Sequence, residues 1–189
     1  VALEIERRFL VNGNAWRREV CGEQQLQQGY LTSRADGVTL RVRISQSPGA
    51  QASACLTLKA PLPAAAARAA PTLLEGLVRQ EFEYAIPLAD ARALLALTTH
   101  QLCKCRYNLA LEGADWVVDV FEGANAPLVI AEVEIDRVDQ PIGLPPWCAQ
   151  ELTGRHELSN AALAWTPFGS WSAEMREPLL RMLSPAAES

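Results

Sequence analysis

The sequence predicts an α+β protein built mainly from antiparallel strands, closed into a barrel or stacked as a sandwich. Three observations lead there. Apolar and polar residues alternate with period two in short segments from the N-terminus to about residue 135. Turn signals separate the segments, among them Asn12-Gly13-Asn14, Arg34-Ala35-Asp36-Gly37, Ser47-Pro48-Gly49 and Glu112-Gly113-Ala114-Asp115. Helix-forming composition is confined to the Ala-rich insertion at 60–78, which could be a partly helical flap, to one stretch near residue 90 and to the tail.

In order, Glu4 to Val11 is the first strand, with Leu3, Ile5, Arg7 and Phe9 on one face and Glu4, Glu6 and Arg8 on the other. Residues 15–25 read as a short helix or loop, and Leu26 to Leu31 as a strand carrying Gly29-Tyr30. Val38 to Ile44 sets Leu40, Val42 and Ile44 against Thr39, Arg41 and Arg43, and Ala54 to Lys59 puts Lys59 on the Thr57 face. Residues 60–78 are rich in Pro and Ala and read as an insertion at a strand end. Arg79 to Ile86 then sets Arg79, Glu81 and Glu83 opposite Phe82, Tyr84 and Ile86. Pro87 suits a helix start for the segment that runs to Thr98. Three strands follow: Leu102 to Tyr107 with Lys104 and Arg106 together, Trp116 to Glu122 with Asp119, and Leu128 to Ile135 with Glu132 and Glu134 on one face. Residues 145–148 read as a loop or short helix, 157–165 as a helix, and 172–183 as an amphipathic helix weakened by Pro178. That last helix could cover the barrel, close a tunnel mouth or pair with another chain, and covering the barrel is the expectation, because a terminal amphipathic helix most often packs on its own domain.

At 189 residues the chain has room for one domain with a sizeable core. A 49% hydrophobic and 21% charged content is ordinary for a soluble globular protein. Net charge of −5 argues against wrapping duplex nucleic acid, yet basic groups gathered in one place could still hold a compact anion. Five cysteines without paired CxxC motifs read as reduced thiols. Cys103 and Cys105 lack the company of a metal site, and His100 and His156 could share one only if the fold unites them. With no apolar run of membrane-spanning length and no leader, the expected location is the cytoplasm, with no membrane partner.

The charged faces are sorted by sign. Acidic pairs (Glu4 and Glu6, Glu81 and Glu83, Glu132 and Glu134) and basic pairs (Arg41 and Arg43, Lys104 and Arg106) stand at i, i+2 on separate strands. Like charges crowded on one face repel and need a compensating partner. Divalent cations would compensate the Glu pairs, and phosphates the basic ones. In a closed barrel alternate side chains point inward, so the charged faces are placed inside and the apolar faces outside under the Ala/Leu-rich helices. The competing arrangement leaves those charges in water on a half-buried sheet.

These residues resemble the CYTH proteins, also called triphosphate tunnel metalloenzymes. Glu4-Ile5-Glu6-Arg7-Arg8 is similar to the family's Glu-x-Glu-x-Lys signature. The likeness continues through Gln28-Gly29-Tyr30-Leu31, Arg41-Val42-Arg43, Thr57-Leu58-Lys59, Glu81-Phe82-Glu83-Tyr84, Lys104-Cys105-Arg106-Tyr107, Asp119-Val120-Phe121, Ala131-Glu132-Val133-Glu134 and Glu151-Leu152-Thr153. The resemblance implies a closed tunnel of eight antiparallel strands over residues 1–168, followed by a helical tail at 169–189. It also implies binding of a small triphosphate with Mg²⁺ or Mn²⁺. Arg8, Arg41, Arg43, Lys59, Lys104 and Arg106 are then the expected triphosphate ligands. Glu4, Glu6, Glu132 and Glu134 are the expected metal ligands. Glu81, Glu83 and Asp119 would hold a second metal or orient water, with Tyr30 as a polar participant. Arg8 stands where the family has Lys, and a guanidinium stays protonated, so it cannot act as a base.

The expected activity is hydrolysis of inorganic tripolyphosphate. A class IV-type adenylyl cyclase is the alternative enzyme, although no feature marks an adenine pocket. A non-catalytic polyphosphate-binding module is the alternative outside catalysis, and an apolar-ligand barrel fits the charge sorting poorly.

Overall fold

The structure, a computed structural model, describes residues 2–33, 37–61, 78–137 and 139–183. The strands are β1 (Ala2–Val11), β2 (Val20–Ser33), β3 (Thr39–Gln46), β4 (Ser53–Pro61), β5 (Val78–Ala85), β6 (Gln101–Leu109), β7 (Asp115–Phe121), β8 (Val129–Glu134) and β9 (Cys148–Glu151). The helices are α1 (Leu88–Ala96), α2 (Asn160–Trp165) and α3 (Ala173–Leu183). Sheet order is β5-β4-β3-β2-β6-β7-β8-β1, with every pair antiparallel. A β1–β5 pairing closes the ring, so the expected eight-stranded barrel is what forms.

The long first strand makes closure possible. Glu6 to Leu10 pair with β8 along one edge of β1. On the other edge Ala2 to Ile5 pair with β5, and Phe9 to Val11 pair with β9. The ninth strand lies outside the barrel ring, where the sequence suggests only a loop or short helix; its pairing with β1 makes it extended. Similarly, of residues 15–25 only the part Ala15–Glu19 is helical, as a 3-10 turn. Residues from Val20 onward are strand, because β6 runs far enough to pair with them as far as Val20 opposite Leu109. Pro178 sits inside α3 without ending it. Most of the insertion (62–77) and the Arg34 to Asp36 turn lie outside the described residues.

Three apolar clusters hold the barrel. Outside β3 and β4, Val42 and Ala54 pack against Ala91 and Leu95 of α1. Gly29 lets α1 approach, since a Cβ there would lie 2.7 Å from Leu95 Cδ2 and 3.0 Å from Thr98 Cγ2. Outside β1, β7 and β8, Phe9, Val118 and Val133 pack with Trp16, Trp116 and Trp147. The third cluster is inside. Leu10, Tyr30, Leu102, Phe121 and Ile130 share the barrel-facing register with Arg8, Gln28, Lys104, Asp119 and Glu132, two residues away on the same strands. Leu158, Leu163, Phe168, Trp171 and Leu179 of the C-terminal segment pack onto them. The tail therefore does not cover the outer wall as expected; it caps one end of the interior, where inward-facing apolar residues need a partner.

Polar contacts fasten this cap. Asn125, 3% exposed in the β7–β8 connection, donates from Nδ2 to the Leu163 carbonyl (3.2 Å) and accepts from the Phe168 amide (2.9 Å). Ser159 accepts from the Ala162 amide and starts α2. Among the described residues no helix is long and apolar enough to cross a membrane.

Candidate active site

Beyond the apolar end, the barrel wall becomes a belt of charge. Cross-strand register brings its residues together. Arg41 of β3 faces Thr57 of β4, which faces Glu83 of β5. Lys59 faces Glu81, Arg106 faces Asp119, and Arg8 faces Glu132, which faces Val117. Directly opposed residues in antiparallel strands share a face, so the sorted pairs of the sequence converge on one interior.

Within it, opposite charges are in contact. Lys59 Nζ donates to both oxygens of Glu4 at 2.5 and 2.6 Å and lies 3.4 Å from Glu81. Arg43 Nη2 donates to both oxygens of Glu83 at 3.0 and 3.1 Å. Arg41, 7% exposed, donates to Thr57 Oγ1 at 3.1 Å and lies 3.7 Å from both Glu81 and Glu83. Arg106 grips Asp119 through Nε (2.8 Å) and Nη2 (2.7 Å) and also meets Glu132. Lys104 is wholly buried; it pairs with Asp119 and donates to Asn160 Oδ1 of α2 at 2.9 Å. Arg41 and Arg43 each keep a buried Nε–H with no acceptor among the described residues.

Burial and neighbours set the protonation of the belt. Burial, with Glu132 and Glu4 alongside, pushes the Glu6 carboxyl up to about 8 against the pull of Lys59 and Arg8. Burial would also raise Glu132, but Lys104 and Arg106 outweigh it and hold that carboxylate well below the usual range. Glu81 is raised by burial, whereas for Glu83 Arg43 and the Thr57 hydroxyl overcome burial and lower it. Burial lowers the Lys104 ammonium and raises the Tyr30 hydroxyl.

Of the residues expected from sequence, Glu4, Glu6, Glu132, Glu81, Glu83, Asp119, Arg41, Arg43, Lys59, Lys104 and Arg106 all meet in the belt. Tyr30 lies at the junction with the apolar end, its hydroxyl 3.4 Å from Gln28 Oε1. Two stand apart. Glu134 is exposed at the opposite mouth, beside a cleft of about 300 Å³ lined also by Asp115, Asp136 and Gln140. Arg8 donates its terminal nitrogens to the carbonyls of Leu158 (2.9 Å) and Arg155 (3.3 Å), with Nε 3.6 Å from Glu6. It ties the cap to the wall. Sequence reasoning gave no site role to Thr57 or Asn160. Thr57 stands two residues before Lys59 on the same face, which could have marked it. Asn160 sits in a helix remote in sequence and carried no such signal.

The donor set suits a hard cation. Glu6, with Glu4 and Glu132 crowding it, offers carboxylate oxygens whose mutual repulsion a divalent ion would relieve. Among the described residues no three acidic, imidazole or thiol groups are already gathered as a coordination cage. Glu4 and Glu132 instead hold Lys59 and Arg106.

A closed barrel with a belt of paired cations and carboxylates is a charged tunnel and not an apolar-ligand barrel. The sequence pattern of the CYTH domain matches residues 2–162, so the chain belongs to that family. Membership implies dependence on a divalent metal. The chain is 32% identical over 167 residues to an inorganic triphosphatase of Acetivibrio thermocellus, covering 87% of this chain and 95% of that protein. It is 33% identical over 165 residues to an inorganic triphosphatase of Nitrosomonas europaea, covering 85% and 96%. The crystal structure of the inorganic triphosphatase NE1496 superposes with a TM-score of 0.55 at 31% identity, covering 87% of this chain and 95% of that one.

Proposed function

We propose that the chain hydrolyses inorganic tripolyphosphate to pyrophosphate and phosphate with Mg²⁺ or Mn²⁺. The observation that carries the reading is the belt itself. Among the described residues Arg41 and Arg43 have no acceptor for their buried Nε–H donors inside a closed barrel, while Glu6 is crowded by its own sign. Oppositely charged groups buried in this density are a poor device for stability, because desolvation offsets much of their attraction. A polyanion and a cation together would satisfy both halves. The relatives named inorganic triphosphatases favour the small inorganic substrate.

Arg41, Arg43, Lys59, Lys104 and Arg106 would hold the phosphate oxygens from facing walls. They would exchange carboxylate partners such as Glu4 for phosphate as the substrate enters. Glu4, Glu6 and Glu132 would hold the metal, with Glu134 at the mouth. When bound, the ion would neutralise phosphate charge and lower the pKa of a water. Water attacks a terminal phosphorus and the bond to the bridging oxygen breaks, releasing pyrophosphate. Among Glu81, Glu83 and Asp119, Glu81 suits proton acceptance best. It is raised, while Glu83 is lowered and Asp119 is clamped by Arg106 and Lys104. Tyr30 borders the phosphate site beside Arg41. Arg8 serves mainly to fix the cap.

The test is phosphate release from tripolyphosphate, ATP and pyrophosphate with Mg²⁺, with Mn²⁺ and with chelator. Metal-dependent release fastest on tripolyphosphate is expected. Cyclic AMP from ATP without phosphate release would assign a cyclase instead, and triphosphate binding without turnover a binding module.

A further inference from the structure

Thr57 is fully buried at the centre of the charged belt, and its hydroxyl is used on both sides. Oγ1 accepts from Arg41 Nη2 at 3.1 Å and donates to Glu83 Oε2 at 2.9 Å. Arg41 and Glu83 themselves are 3.7 Å apart, too far for a direct hydrogen bond. The register Arg41–Thr57–Glu83 across β3, β4 and β5 places the hydroxyl between them. Its proton points to the carboxylate and its lone pair to the guanidinium, an orientation that both charges favour.

We propose that Thr57 is a positioning residue that bridges Arg41 and Glu83 and keeps their 3.7 Å ion contact from closing into a direct hydrogen bond, so that Arg41 remains aimed at the substrate phosphates. The inference rests on the triphosphate reading of the tunnel. Glu83 already has Arg43 on both oxygens. Without the hydroxyl, the ion contact of Arg41 and Glu83 has only a short distance to close into a direct hydrogen bond. That bond would withdraw the guanidinium to the β5 wall. The loss should then fall on substrate binding, and it should follow the hydroxyl rather than the methyl group.

Thr57→Val preserves shape and strand preference while deleting the hydroxyl; Thr57→Ser keeps the hydroxyl and deletes the methyl. We expect Thr57→Val to raise KM for tripolyphosphate about tenfold, the scale of one hydrogen bond to a charged group, with a smaller change in kcat. The Kd of tripolyphosphate in calorimetry should rise in parallel, and Thr57→Ser should stay within about threefold of wild type. Wild-type kinetics and Kd in Thr57→Val, with only the melting temperature lowered, would make Thr57 purely structural and overturn the proposal. So would a Ser variant as impaired as the Val variant, a comparison that Thr57→Ala replaces if the Val chain does not fold. Wild-type protein that neither binds nor cleaves tripolyphosphate would instead overturn the parent reading.

Discussion

Two zones of one barrel interior are built by the same five strands at positions two residues apart. Leu10, Tyr30, Leu102, Phe121 and Ile130 make the apolar end; Lys104, Asp119 and Glu132 of the charged belt stand next to them on the same face, as do Arg8 and Gln28. At the apolar end each fully buried large side chain contributes about 1.5–3 kcal/mol to stability, and the cap from α2 and α3 completes the packing. The belt is as deeply buried at Lys104 and Asp119, both 0% exposed, but the gain from its ion pairs is offset by the desolvation of every charge. One wall thus carries an apolar zone and a charged zone along its length. The cap joins them, since Arg8 and Lys104 both reach its polar atoms.

That contrast can be broken at either zone. Arg106→Ala should have the largest effect. It removes the cation that contacts both Asp119 and Glu132, leaving Lys104 paired with Asp119 and Glu132 with only the fields of Lys104, Arg8 and Lys59. A loss of about 3–5 kcal/mol in denaturant unfolding is expected, together with loss of turnover. Leu163→Ala, in the apolar end, should remove about 2–5 kcal/mol while KM for tripolyphosphate stays that of wild type. A large KM change there would show that the two zones are not separable. Arg41→Ala should raise KM about 10- to 100-fold with a melting temperature near that of wild type. A stability loss with KM unchanged would mark Arg41 as structural.

Much of the belt was legible because period two is so regular a property of strands. Once Glu4 and Glu6, Arg41 and Arg43, or Lys104 and Arg106 are placed on one face, closure sends them all inward. The apolar end was harder to see. Leu10, Phe121 and Ile130 continue the charged faces, and alternation alone does not say that a face changes character along its length. Nor does local sequence say that residues near 158–179 fold back to cover it, a contact made only in three dimensions. β9 was missed for the same reason, because Cys148–Glu151 is extended through its pairing with β1. Arg8 was legible as a departure from the family pattern, but not its grip on the Leu158 and Arg155 carbonyls.

Glu6 offers the most direct test of a belt kept for chemistry rather than stability. Its carboxyl is raised from 4.5 to about 8, so the folded state holds this proton more tightly than the unfolded chain does. The resulting stability is fully present below pH 4.5 and is lost as pH rises through about 8. Replacement by Gln removes the slope. The measurement is the melting temperature of wild type and Glu6→Gln in chelator at about pH 8 and below pH 4.5, beside tripolyphosphate turnover in Mg²⁺. The expected result is a variant at least as stable as wild type at the higher pH, with the advantage shrinking at the lower, and turnover reduced about 100-fold or more, as losing a charge-stabilising group does. A variant that keeps its turnover, or is less stable than wild type at the higher pH, would contradict it.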